Sequence, residues 1–457
     1  MTDTAMTTAV ATPAEPDGAP RLPVIDILRG IAILGILFMN INGMGASLFR
    51  EVGGVPQDLG WTTLDQVAWW LREVLANGTA RAMLEMLFGV GMVILTDRAA
   101  TKLGKWQVMR AYQWRNVVLF LFGLVHVFVL LWPGDILHTY GLTALVAVLF
   151  RRWRPGWLIA AGLLMATLHL VGDGYGAYIS INKRAEASSI EARQKTGVAL
   201  TADEVAKLAA RRKRVAEREK ERAELAALAR AEDKARVPAT ATASSWVWAA
   251  WYPFVYIEQR YLEIVFVWEA LSTMLIGAAL YKLGIIQGNR SRRFYATLIV
   301  AGYTVGWTLR IWKGVVTTQY AFQPSIAFAT DEVARLATTV GHIGAINLLL
   351  TSVGGARLLR PFEAAGKTAL SIYIAQTLIC LWVLYPPWGF ALYGMQGWAG
   401  LMLTALAINA GLLWGANIWV RHFAIAPVEW AWRSIIARRR LPFRRRSADP
   451  SGSLALA

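Results

Sequence analysis

Two imidazoles and a carboxylate are gathered in one short stretch, Gly123-Leu124-Val125-His126…Trp132-Pro133-Gly134-Asp135-Ile136-Leu137-His138. His126 lies near the end of one apolar run and His138 near the start of the next. Antiparallel helices joined by so short a turn bring the two rings to within about one helical turn of each other in depth. Asp135 falls at the start of the returning helix, where a negative charge suits the positive end of the dipole. A carboxylate beside an imidazole fixes its tautomer and raises its basicity, which is what a general base needs. The plainer alternative is an Asp N-cap beside a His that bonds between helices. Ionisable groups at membrane depth point to function by default.

Other polar residues interrupt apolar runs. Asp26 and Arg29 are one turn apart and can pair, at the mouth of an unbroken apolar run from Ile31 to Met39. Asn40 lies about 21 Å beyond Asp26 at the rise of an α-helix, which puts its amide in the outer half of a bilayer. Glu85 and Glu269 fall inside the second and sixth apolar stretches, and both need partners at that depth. Arg310 and His342 are the candidates, and Gln376 adds an amide near mid-membrane. Together these residues are expected to outline a polar cavity opening outward. There is no Walker-type phosphate loop, no H-E-x-x-H and no G-x-S-x-G. The five His residues give no ligand pair at helical metal spacing, so no metal is expected.

The elements that must position these groups follow from composition. The chain has 457 residues, of which 56% are hydrophobic and 17% charged. Soluble domains carry about 25% charged residues. The fold expected is an all-α, polytopic membrane helix bundle. About ten transmembrane helices are expected, at roughly 24–46, 80–97, 114–132, 135–150, 156–172, 262–286, 294–313, 333–354, 367–385 and 398–420. The 21 Trp suit interfacial belts. The net charge of +17 does not argue for nucleic acid, because the basic residues between the apolar stretches are concentrated in alternate short loops. One set of loops holds Arg98, Lys102, Lys105, Arg110 and Arg115, then Arg151, Arg152 and Arg154, then Lys282, Arg290, Arg292 and Arg293, then Arg357, Arg360 and Lys367. The loop Trp132-Pro133-Gly134-Asp135 on the other side has none. Positive charge stays inside, so both termini are expected in the cytoplasm. Cys380 is the single cysteine, which excludes an intrachain disulfide.

Five segments are expected. They are a disordered cytoplasmic arm (1–20), helices one to five (21–172), a polar insertion (173–260), helices six to ten with a closing motif (261–434), and a basic tail (435–457). The tail's arginines, including Arg445 and Arg446, suit anionic lipid headgroups. Between the first two stretches, Trp61, Leu64, Val67, Ala68, Leu71, Val74 and Leu75 form one apolar face of an interfacial helix on the outer surface. In the insertion, Thr201-Ala202-Asp203-Glu204 reads as a capping box that opens a long, charged, solvated helix on the periplasmic side.

Several ordered motifs then point to a family. Asp26-Ile27-Leu28-Arg29-Gly30 with Asn40-Ile41, and Leu87-Phe88-Gly89-Val90-Gly91, resemble the first two spans of the domain of unknown function 418, or YeiB-like, family. Gly123–His126 with Gly134-Asp135-Ile136-Leu137 and Tyr140, Met274–Gly277 with Lys282–Gly284, Gly366–Tyr373 with Gln376, and Pro427-Val428-Glu429-Trp430 match its later motifs. The resemblance implies a bacterial inner-membrane protein. The opening helix is also similar to that of multi-span acyltransferases that acetylate sugars across membranes. There, an Asn matching Asn40 and a His about ten residues later serve acyl transfer. This chain has no His in Ala46–Glu51, so His126 or His138 would have to supply the base.

The leading expectation is therefore transmembrane acyl transfer. An acyl-coenzyme A donor enters from the cytoplasm, and the acceptor, a glycan or small molecule, lies on the periplasmic side. Asp135 orients an imidazole, and Asn40 donates to the developing oxyanion. The rival is a proton-coupled transporter using Glu85, Glu269, Arg310 and His342. A third reading is a membrane scaffold that recruits a partner through residues 182–237.

Overall fold

The computed structural model describes residues 22–53, 55–102, 104–260, 262–319 and 325–444. The expected arm at 1–20 and the tail's Arg445 and Arg446 lie outside them. Among the described residues every named element is helical, with one isolated bridge between Phe423 and Arg444.

The first half runs α1 (Pro23–Gly45), α2 (Leu48–Gly53), α3 (Thr63–Leu71), α4 (Thr79–Ala100), α5 (Lys105–Phe128), α6 (Leu137–Ala147) and α7 (Pro155–Lys195). The insertion continues as α8 (Ala202–Arg236) and α9 (Ala243–Gln259). The second half runs α10 (Leu262–Lys282), α11 (Arg292–Gln319), α12 (Ile326–Ala329), α13 (Asp331–Leu350), α14 (Val353–Lys367), α15 (Ala369–Leu378), α16 (Trp398–His422) and α17 (Pro427–Ala437). Each of the ten stretches expected to span falls on a helix. Among the described residues, six helices are long and apolar enough to cross a membrane by length and composition, and α14–α15, bent by 77°, make a seventh if they count as one broken span.

α1 lies at the centre, packed against α4, α14, α15 and α16. Its Leu28, Leu37 and Ile41 are fully buried. Close helix crossings make this possible. A Cβ added at Gly89 on α4 would strike the Met274 carbonyl of α10, so glycine lets these two backbones meet. Large apolar side chains point outward instead at Trp157, Val300, Leu403 and Trp414, on α7, α11 and α16. An apolar exterior of this kind belongs against lipid.

The helix expected at the interface forms as α3, continued by a wider π turn at Arg72–Ala76. Leu64, Val67 and Leu71 are exposed, whereas Asp65, Arg72 and Glu73 are buried. Its polar face thus packs on the bundle. Asp65 closes the capping box with Thr62 and accepts the Ala399 N–H at 2.9 Å.

The insertion folds as expected at its cap but not in its packing. α7 continues past residue 172 without a break. α8 begins with the Thr201–Glu204 capping box and returns antiparallel along α7 through Glu186–Lys207, Arg193–Glu204 and Arg211–Glu191 pairs. Its far end is docked rather than solvated. Glu232 accepts from Ser47 Oγ at 2.7 Å and Leu48 N at 3.0 Å, and pairs with Arg236 at 2.9 Å. Arg236 lies over the rings of Trp246 and Tyr393. Burial pushes the Glu232 carboxyl above its usual value and outweighs the opposing effects of Arg236 and Ser47. α9 then crosses the end of the bundle, where Trp251 Nε1 donates to Phe128 O at 3.0 Å.

Candidate functional site

The α5–α6 turn builds the site. Pro133 has no N–H and stops further helix. Leu131 takes φ +65°, a conformation rare for a residue with a Cβ. Gly123 is required here, because a Cβ would come within 2.7 Å of Asp135 Oδ2 and nearer still to the His138 backbone nitrogen. That close approach lets Asp135 reach both imidazoles.

Asp135 Oδ1 lies 2.6 Å from His126 Nδ1. Its Oδ2 lies 2.9 Å from His138 Nδ1 and accepts the His138 N–H at 2.9 Å. The carboxylate therefore satisfies a first-turn amide of α6 and orients two rings at once. His126 is fully buried, and its Nε2 lies 2.8 Å from Thr377 Oγ1. Tyr373, one turn before Thr377 on α15, donates to Asp135 Oδ1 at 3.3 Å and accepts from Ile136 N. Its ring stands edge-on to His126 at 4.7 Å. α15 is held in place from its other end, where Glu429 of α17 accepts from Leu370 N at 2.8 Å, from Ser371 N at 3.2 Å and from the Ser371 hydroxyl. A carboxylate there also suits the positive end of the helix dipole.

His138 faces a different neighbourhood. Its Nε2 lies 3.4 Å from Glu263 Oε2 of α10, and Phe254 of α9 packs edge-on to its ring. Glu263 also accepts from Thr139 Oγ1 at 2.8 Å. Glu258, at the end of α9, brings a second carboxylate, so three groups of metal-binding type converge.

A cavity of about 680 Å³ runs to this turn from the side of the basic loops. Its wall holds Asp26 and Arg29, paired at 2.8 Å, with Arg98, Arg115, Lys367 and Arg433. At its far end are Ile136, Leu137, Tyr140 and Tyr373. Among the expected cavity residues, only Asp26 and Arg29 line it, and it lies on the basic-loop side rather than opening outward.

The other expected residues go elsewhere. Asn40 is half-buried and takes no part in the His–Asp network among the described residues, while the neighbouring Asn42 is the buried amide. Gln376 donates to Ile33 O and Asn409 Oδ1. Glu85 and Glu269 are not held by Arg310 and His342. Arg335 pairs with Glu85 at 2.8 Å and with Glu332 at 2.7 Å, and Arg81 binds Glu269 at 2.5 Å. Arg310 donates to the carbonyls of Glu73 and Asn77. His342 bridges Tyr303 Oη and Leu75 O at 2.8 Å each. The sequence reading missed Thr377, Tyr373, Glu258, Glu263 and Arg335. For Tyr373 the signal was its place in the Gly366–Gln376 motif.

Residues 280–439 match the family model described as "Protein of unknown function (DUF418)". The chain is 25% identical over 418 residues to "Uncharacterized protein YxaH" of Bacillus subtilis (strain 168), which covers 91% of this chain and 94% of that protein. It is 25% identical over 434 residues to "Uncharacterized protein YeiB" of Escherichia coli (strain K12), covering 92% and 97%. No solved structure matches. The family model over residues 280–439 and the two near full-length relatives support a DUF418, YeiB-like family for this chain.

Proposed function

We propose that the protein is an inner-membrane acyltransferase that takes an acyl group from coenzyme A on the cytoplasmic side to an acceptor on the opposite side. One observation supports this above all. A single cavity joins a cluster of cations to the residues that hold the His126–Asp135 pair. Its volume is of the size that encloses a cofactor-sized ligand. Arg29, Arg98 and Lys367 suit the phosphates of a nucleotide thioester, and the positive-inside distribution supports a cytoplasmic side for that end and for both termini.

In this reading the acceptor hydroxyl attacks the thioester carbonyl. Its proton passes through the Thr377 hydroxyl to His126 Nε2, and the C–S bond breaks. The coenzyme A sulfur leaves with a proton returned by the imidazolium. Asp135 stabilises the imidazolium and fixes the tautomer. The Tyr373 hydroxyl, on the cavity wall, turns its one proton from Asp135 to the developing oxyanion, the role first expected of Asn40. The residues expected for a proton pathway are instead bound up with Arg81, Arg335 and backbone carbonyls.

Protein reconstituted in lipid nanodiscs tests this by calorimetric titration with coenzyme A and by thiol release from acetyl-coenzyme A. Arg98→Ala is expected to weaken binding about 10-fold, as for a lost hydrogen bond to a charged group. His126→Ala is expected to retain binding but lose thiol release by at least about 100-fold. Absence of saturable coenzyme A binding, or full thiol release from His126→Ala, overturns the reading.

A further inference from the structure

The His138 imidazole is buried, with one nitrogen engaged and the other without a hydrogen bond. Nδ1 faces Asp135 at 2.9 Å. Nε2 is buried with no hydrogen-bond partner, and the nearest acceptor, Glu263 Oε2, stands off at 3.4 Å. A buried polar atom left unpaired is costly. Around it, one ligand atom each from His138, Glu258 and Glu263 lies within 4.8 Å of the other two.

We infer that His138 Nε2, Glu263 and Glu258 bind a divalent cation of the zinc class. Three independent features support the inference. The first is the distance. Zinc bonds of about 2.0–2.1 Å at tetrahedral angles separate neighbouring ligand atoms by about 3.3–3.4 Å, and His138 Nε2 to Glu263 Oε2 is 3.4 Å. An octahedral magnesium ion, with bonds of about 2.0–2.1 Å, requires neighbours at about 2.9 Å. The second feature is the tautomer. With Nδ1 turned to Asp135, Nε2 is the nitrogen left to coordinate once it gives up its proton, which is the carboxylate–histidine–metal arrangement. The third is charge. Two carboxylates converge on one imidazole nitrogen, and a dication relieves their repulsion.

Three protein ligands leave a fourth tetrahedral position open. Glu258 is exposed on α9, so its carboxylate reaches the ion by a rotamer change while α9 covers the site. The sequence hides this set because its ligands come from α6, α9 and α10, with no helical pair. The assignment does not depend on acyl transfer and is read from metal binding alone.

The experiment strips purified full-length protein with a chelator and titrates it with Co²⁺, following visible d–d absorption, with Zn²⁺ as competitor. The expected result is one equivalent of four-coordinate Co²⁺ displaced by Zn²⁺. Affinity is expected to fall at least 10-fold in Glu258→Gln and in Glu263→Gln. Asp135→Asn, which alters the partner of Nδ1, is expected to weaken binding about 10–100-fold. Glu258→Gln alters an exposed side chain, so its result stands even if the other variants fold poorly. Absence of stoichiometric Co²⁺ binding, six-coordinate spectra, or affinity unchanged in Glu258→Gln overturns the assignment.

Discussion

Gly123→Ala is a single-methyl perturbation of the His–Asp turn, and its effect can be worked from the geometry. The added Cβ would lie 2.7 Å from Asp135 Oδ2, against ordinary contacts that begin at 3.4 Å. The carboxylate or the α5 backbone must therefore give by at least 3.4 − 2.7 = 0.7 Å. Carried in full onto the 2.6 Å bond from Asp135 to His126, a shift of 0.7 Å gives a separation of about 3.3 Å. This is outside the range of about 2.7–2.9 Å for charge-assisted hydrogen bonds. Overpacking of this kind costs about 1–3 kcal/mol of stability, and misplacing a reacting group by about 1 Å costs on the order of 100-fold in rate. The assay is thiol release from acetyl-coenzyme A in nanodiscs, with thermal unfolding alongside. Coenzyme A binding, which depends on the cations of the cavity, reports that the variant remains folded. Gly411→Ala serves as control, because a Cβ there meets nothing within 4 Å. If Gly123→Ala matches Gly411→Ala in both turnover and unfolding temperature, the reasoning about the turn is wrong.

Two further predictions concern stability. Arg335→Met leaves Glu85 and Glu332 buried without their shared guanidinium. It is expected to cost about 3–5 kcal/mol, read by denaturation in detergent, and an unchanged midpoint refutes the role given to this pair. Glu232 has a raised carboxyl value in the docked state, so docking takes up a proton. Docking of α8 is expected to be strongest at acid pH and to weaken as pH rises from the ordinary carboxylate range through that raised value. Hydrogen exchange of α8 across this range, corrected for intrinsic rates, is expected to show the dependence in the parent and a flatter one in Glu232→Gln. Identical dependence in both refutes it.

The His126–Asp135–His138 turn was legible because a short turn fixes which residues meet. For Asn40, height along α1 was legible, but azimuth was not. Adding residue rises gives height along α1, while the side of the helix that faces the neighbouring spans depends on packing, and Asn42, not Asn40, is turned into the core. The partners of Glu85 and Glu269 were missed for a related reason. Arg335 sits in the first turns of α13, where a basic residue reads as an edge charge, yet it reaches across to α4. Thr377 and the Glu258–Glu263 pair enter from distant segments, and no local pattern ties them to the turn. The ten apolar stretches were visible because continuous apolar runs report helices directly. The docked end of α8 was not, because its anchors are two carboxylates, Glu232 and Asp233, that reach residues of α2 far away in sequence.

The clamp of Glu429 on the start of α15 has a consequence for biosynthesis. α15 carries Tyr373 and Thr377, but the carboxylate that fixes its start arrives 58 residues after Ser371 in chain order. Until Pro427–Ala437 leaves the ribosome, the amides of Leu370 and Ser371 lack this partner. The pocket therefore acquires its finished shape late in translation, after the helices around it have already been inserted.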